Sequence, residues 1–302
     1  MRGYVHRLWP AIPALVLLWL GIAVIMFKFF ERSDAPHLVY SLDDAYIHMA
    51  IAKHLADLGV YGITKREFSS SSSSPLWVIV LFLCSKLIDL GEMAPFLLNV
   101  VLASASLGAA SFVLGRHIAS RPLVSLGVLA CLSTSFVLPL VFSGMEHIAQ
   151  MFLVTVFCYT ASLHLVSERR GSVLLVVAAF LLPVTRYESL FVVGLVVLLL
   201  LVRQRYRVGL LVAFFAVLPV GLYATVSISA GSLAFPNPIL LKGVQPNLLD
   251  PTITSNVVCG GPTVSFYATS KEDLPALVRH LKNYSRRLPT AVREDGLYME
   301  GR

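Results

Sequence analysis

Charge is scarce in this 302-residue chain. Asp, Glu, Lys and Arg make up 14% of it, against about 25% in a soluble domain. None of the four occurs in residues 94–115, 122–142, 148–166 or 208–230. Lys28 alone interrupts 8–30, and 172–202 is apolar apart from Arg186 and Glu188. Apolar runs of about 20 residues match the bilayer core. With 57% hydrophobic residues and a mean hydropathy of +0.77, an ordinary soluble domain is excluded. Cysteine is also sparse, with four residues. Cys84, Cys131 and Cys158 lie in apolar segments and Cys259 stands apart. No pair has zinc or redox spacing, so neither a metal–thiolate centre nor a disulfide framework is expected. No repeated half is visible and the spans carry almost no charge at their centres, which argues against a transporter or channel.

The charge that is present is patterned. The net +7 comes largely from arginines in short loops: Arg2 and Arg7, Arg116 and Arg121, Arg169 and Arg170, then Arg203, Arg205 and Arg207. Such clusters hold loops in the cytoplasm, so the basic excess is topological and nucleic acid is not an expected partner. With every cluster inside, the chain crosses seven times, two of the crossings being the short arms of a hairpin over 172–202. Residues 31–93 form a long outer loop. Segment 75–90 is read as non-crossing, because a crossing there would put Arg116 and Arg121 outside. Residues 244–302 form a polar tail on the outer side.

This scheme uses only arginine clusters, yet it brings Asp43, Asp44, Glu146, Arg186 and Glu188 to the same outer face. Taken singly, Glu146 and Glu188 read as solvated turn residues. The adjacent pair Asp43 and Asp44 has two readings, which stay open here: a functional site, since ionisable groups at a bilayer are expensive, or a helix start in which Ser41 and Asp44 make a capping box. After the pair, Ile47, Ile51, Leu55 and Leu58 recur at helical spacing and Gly59 suits a C-cap, predicting an interfacial helix. His48 and His54 read as its interfacial polar residues. Tyr46 and Trp77 read as interfacial anchors or sugar-stacking platforms.

In sequence order, Leu42-Asp43-Asp44-Ala45-Tyr46-Ile47, Ser74-Pro75-Leu76-Trp77, Ser143-Gly144-Met145-Glu146, Thr185-Arg186-Tyr187-Glu188, and Pro236-Asn237 with Lys242 make a series. In that series the chain resembles the GT-C class of membrane glycosyltransferases, and within it proteins similar to the mycobacterial arabinofuranosyltransferases. The resemblance covers residues 8–243. It departs from the family pattern at Met145, where leucine is usual, at Tyr187, where proline is usual, and at Pro238, where threonine is usual. Serines 69–74 replace a more varied stretch, and a flexible loop is the expectation for them. The family also continues with further spans, so the chain is expected to be a C-terminally shortened member.

The resemblance implies an all-α polytopic membrane protein with a GT-C-like bundle over 1–243 and interfacial helices in its outer loop. It implies a multi-pass protein of the cytoplasmic (inner) membrane, with its site facing outside. The donor would be a polyprenyl-phosphate sugar and the acceptor an envelope glycan or lipid, among membrane lipids. Asp43 is then the general base and Asp44 its partner. Arg186 and Lys242 are the groups for the donor phosphate, with Glu146 and Glu188 as supporting acids. A divalent cation, Mg²⁺ or Mn²⁺, held by Asp43 and Asp44 is an open alternative. So is a non-catalytic reading, in which the chain is a membrane subunit or lipid-binding paralogue.

Overall fold

The computed structural model describes residues 7–32, 38–88, 90–166, 172–236, 239, 291–293 and 296–298. The chain divides into two units, Met1–Val244 and Gln245–Arg302. In the first, a 3₁₀ turn at Trp9–Ala11 leads into α1 (Ile12–Arg32). Then come α2 (Asp43–Leu58), α3 (Pro75–Leu87), a 3₁₀ turn at Gly91–Met93, and α4 (Ala94–His117). The remaining helices are α5 (Arg121–Thr134), α6 (Val137–Val141), α7 (His147–Leu165), α8 (Ser172–Thr185), α9 (Ser189–Val202) and α10 (Tyr206–Ser229). The second unit contains an antiparallel pair, β1 (Ala291–Arg293) and β2 (Gly296–Tyr298), with Val292 opposite Leu297. The all-α expectation omitted this hairpin, whose three-residue strands leave almost no pattern to read.

α1 buries only the stripe Ala14, Leu18 and Ile22, while Val16, Leu17, Leu20 and Phe27 stay more than half exposed. Phe191, Leu210, Phe214 and Val217 do the same on α9 and α10. A continuous apolar surface of this kind is at ease only in lipid. Among the described residues, four stretches are long and apolar enough to cross a membrane: Trp9–Arg32, Gly91–His117, His147–Leu165 and Tyr206–Ser229. The chain is an α-helical membrane protein.

Of the seven expected crossings, the two hairpin arms are short as expected, and α5, expected at full length, is short as well. Helices α5, α8 and α9 have 14 residues each, about 21 Å at 1.5 Å per residue, short of a core about 30 Å thick. The run at 122–142, read as one span, is broken between α5 and α6 at Phe136, whose φ is 50°. Pro139 disfavours a continuous helix there, since its ring would collide with the carbonyl of Ser135, although Pro183 and Pro219 are accommodated inside α8 and α10. Ser133 and Thr134 also donate back to the carbonyls of Leu129 and Ala130.

The bundle has two chemically distinct ends. At one, Ser111 donates to the Arg7 carbonyl at 2.7 Å and Arg116 donates to the Tyr159 hydroxyl at 2.8 Å. Ser172 lies 3.3 Å from His164, and Arg205 sits beside that histidine. At the other end gather the starts of α4 and α7 and the end of α8. Both termini of α3 stay there: Trp77 bonds the 144 carbonyl, and the turn after α3 returns to Tyr40, which bonds both Glu92 and Phe96. Helix α3 therefore does not run the length of the bundle.

Helix α2 begins at Asp43 and ends on Gly59 at φ 69°. The capping box does not form. Leu42 is the N-cap without a side-chain bond, Ser41 lies one residue too early, and the Asp44 N–H donates to Asp43 Oδ1 at 3.0 Å. The serine stretch is not a loose loop either. Ser70, Ser72 and Ser74 are fully buried and the serines between them partly so, the alternation of an extended chain. Ser70 meets the Tyr223 hydroxyl of α10 at 2.7 Å.

Candidate functional site

Four short segments far apart in sequence meet at the end of the bundle opposite Arg7 and Arg116: 43–48, 74–77, 143–147 and 185–188. The turn at 143–146 is their hub. Ser143 Oγ donates to the Leu140 carbonyl and accepts from the Met145 N–H. Gly144 has φ +70°, and a Cβ there would lie 2.7 Å from the Tyr40 ring and 3.0 Å from Ala45. Two buried donors fix the turn's carbonyls, Trp77 Nε1 on Gly144 at 3.1 Å and Asn99 Nδ2 on Met145 at 3.0 Å. Clamped in this way, the turn aims the next side chain, Glu146, into the protein.

Glu146 is 0% exposed. Its Oε1 accepts from Arg186 Nη1 at 3.0 Å, and Arg186 Nη2 donates to Glu188 Oε1, also at 3.0 Å. The same Nη1 lies 3.1 Å from His147 Nδ1; arginine can only donate, so that nitrogen is the acceptor. The other carboxylate oxygen, Glu146 Oε2, lies 3.9 Å from His48 Nδ1, and neither atom has a hydrogen-bond partner among the described residues. Burial raises the Glu146 pKa, against the pull of Arg186. Burial, reinforced by Arg186, pushes His48 down to about 4, so it is neutral at pH 7. Asp44 is half-buried and close enough to act electrostatically on Glu146 and His147. Asp43 is exposed.

The cluster thus contains Asp44, Glu146, Arg186 and Glu188 of the expected site residues, with Asp43 at its edge. Several expectations change. Glu146 is not a solvated turn residue but a buried ion-pair partner, because the turn at 143–146 is pinned from both sides. Glu188, with its side chain 63% exposed, does face solvent. Arg186 is held by two carboxylates. His48 is 2% exposed and lies in this cluster, not at an interface. The helix buries Ala45, His48, Ile51 and Ala52, while Leu58 is 51% exposed. Trp77 is 2% exposed, a clamp within the core and neither anchor nor platform. Lys242, Pro238 and Asn237 lie outside the described residues.

Sequence reasoning missed Asn99, Tyr40 and the His48–Glu146 approach. Asn99 carried a signal, since it is the one amide in the run 94–115 and a lone amide in a span seeks a partner. Tyr40 and His48 carried none. Asp43 and Asp44 alone do not make a cation cage, because successive helical residues point about 100° apart. Among the described residues no group of three His, Cys, Asp or Glu is placed to hold a metal ion.

Beside the cluster lies an open apolar groove of about 730 Å³, walled by Leu55, Leu76, Ile79, Leu181, Val184 and Leu222 among others. Leu76 adjoins Trp77 and Val184 lies two residues before Arg186 in sequence, so the groove shares its helices with the charged cluster, whose own side chains do not line it. No protein-family model, curated protein or solved structure matches this chain.

Proposed function

We propose that the chain transfers a sugar from a polyprenyl-phosphate donor to an envelope acceptor at the outer face of the cytoplasmic membrane, as a multi-pass protein of GT-C-like architecture. The observation that carries the reading is the meeting of the four motif segments around Glu146 and Arg186, with the apolar groove on the same helices. The gathering of Arg7, Arg116 and Arg205 at the opposite end supports the cluster facing outside.

In this reading the isoprenoid lies in the groove and its phosphate at Arg186. The exposed Asp43 carboxylate takes the proton of an acceptor hydroxyl. The oxygen attacks the anomeric carbon, the bond from that carbon to the phosphate oxygen breaks, and the electron pair leaves with the phosphate. Arg186 has five N–H donors, so it can keep Nη1 on Glu146 while its exposed side exchanges Glu188 for phosphate oxygens. Lys242 is the second phosphate group of the proposal. The test is transfer from a polyprenyl-phosphate sugar by purified protein in nanodiscs. Asp43→Asn is expected to lower the rate by about 10²–10⁴-fold with folding unchanged. Retention of more than about a tenth of the wild-type rate would remove Asp43 from the role.

One observation favours a second reading, a lipid-binding module without transfer: Arg186 is already neutralised by two carboxylates. Saturable donor binding by wild type, with no product from any acceptor offered, would select it.

A further inference from the structure

The two aspartates open α2 on different faces. Asp44 and His48, four residues apart, look inward to Glu146. Asp43 begins the stripe Asp43, Tyr46, Ala50, Lys53 and Asp57, at steps of three and four residues, which form one helical face. From Tyr46 onward that face lines a second cavity of about 400 Å³ between α2 and α3, distinct from the apolar groove. Leu81, Ser85 and Lys86 of α3 line it from the other side, with Glu92 of the following turn.

The cleft has a mixed chemistry. Ala50, Ala52 and Ala56 keep its floor open, with Met49 and Leu81 as apolar contacts. Lys53, Asp57, Lys86 and Glu92 are exposed, and no ion pair joins any of them to another described residue. Tyr46 is 40% exposed, its hydroxyl accepting from the Tyr40 N–H at 2.9 Å, which holds the ring in place. Donors and acceptors of both signs, around an apolar floor and an aromatic edge, suit a neutral polyol that offers hydroxyls as donors and acceptors together with C–H faces. A polyanion would meet Asp57 and Glu92, and a polycation Lys53 and Lys86.

We propose that this cleft binds the acceptor glycan and leads its hydroxyl along the helix face to Asp43. The inference rests on the transferase reading for the word acceptor, but glycan binding by the cleft stands on its own geometry. The division of the two carboxylates follows: Asp43 meets the acceptor, and Asp44 belongs to the ion-pair cluster that faces the donor.

The test is titration of the full chain in nanodiscs with three neutral trisaccharides, of arabinofuranose, galactofuranose and mannopyranose, and with phosphoethanolamine as a zwitterionic headgroup probe. Saturable binding of at least one trisaccharide is expected. It should weaken by at least about tenfold in Ala50→Phe, which fills the floor, and also in the surface variant Lys53→Gln, which leaves the fold intact. Asp43→Asn should keep this binding while losing transfer. The proposal is overturned if folded wild type binds none of the trisaccharides, if the two cleft variants bind as wild type does, or if phosphoethanolamine alone binds in a cleft-dependent way. Cleft-dependent trisaccharide binding with no transfer from any donor would instead overturn the transferase reading and leave the glycan cleft standing.

Discussion

Arg186 Nη1 donates to Glu146 Oε1 at 3.0 Å, tying the turn between α8 and α9 to the turn that opens α7. One partner is fully buried and the other has a side chain 22% exposed, so water screens this pair far less than a surface ion pair. Removing one partner of a buried pair typically costs about 3–5 kcal/mol, because the other charge is left uncompensated.

Glu146→Ala should therefore lower stability by several kcal/mol, and Arg186→Met by a comparable amount. The double variant should cost less than the sum, with a coupling of roughly 0.5–3 kcal/mol. Glu188 remains to partner Arg186 and holds the lower end of that range in play. Equilibrium unfolding of the four proteins in mixed micelles reads the cycle, and strict additivity would show that the two turns are not energetically joined.

Gly144 is the second point of leverage. Its φ of +70° and the 2.7 Å approach of a Cβ to Tyr40 penalise any side chain. The Tyr40 ring cannot swing aside, since its hydroxyl donates to the Glu92 carbonyl at 2.6 Å and accepts from the Phe96 N–H at 3.2 Å. Gly144→Ala is expected to cost roughly 2–5 kcal/mol from the left-handed backbone and the overpacking together. Gly194, on the exposed face of α9 with nothing within 4 Å of a Cβ, is the control. There alanine should be neutral or stabilising by up to about 1 kcal/mol. Equal effects at the two sites would contradict the described packing.

Much of this arrangement was legible from the chain. Uncharged runs marked α4, α7 and α10 within a few residues, because a bilayer demands a continuous apolar length. Gly59 marked the end of α2 through the backbone freedom it alone offers. The order of Asp44, Glu146, Arg186 and Glu188 could be recognised, but not their contacts. Which residue of 143–146 points inward depends on Trp77 and Asn99 donating to successive carbonyls, and these are tertiary bonds with no spacing rule. His48 was misread because a histidine in an amphipathic helix looks the same whether its neighbour is water or a buried glutamate. The break at Phe136 was available in principle from Pro139, but the apolar run outweighed it.

Sidedness can be read directly. With Cys84, Cys131, Cys158 and Cys259 replaced, a single cysteine at exposed Arg121 or exposed Lys65 reports its compartment to a membrane-impermeant maleimide in intact cells. Lys65→Cys should label and Arg121→Cys should label only after permeabilisation, following the arginine bias. The opposite pattern would invert the bundle and place the Glu146 cluster in the cytoplasm, where an extracytoplasmic acceptor is out of reach.

The buried histidine sets a pH dependence. His48 has its pKa pushed down to about 4 from 6.5, burial first and Arg186 second. A depressed folded-state pKa contributes stability that is present above the unfolded value and lost as pH falls through the window from about 6.5 to about 4. At about 1.4 kcal/mol per pH unit, roughly 3 kcal/mol is at stake. Glu146 works in the opposite sense: its raised pKa favours the folded state at low pH and withdraws that support as pH rises. Wild type should therefore lose unfolding midpoint on acidification across this window. His48→Gln removes one of the groups that must charge, so its profile should fall less steeply than that of wild type. Half-buried His147 beside Arg186 keeps part of the loss, and Glu146, as it takes up a proton, offsets some of it. Parallel melting curves in detergent, taken at half-unit steps, give the difference between the two proteins. Superimposable profiles would mean that His48 is solvated or already charged, and that its approach to Glu146 does not hold in solution.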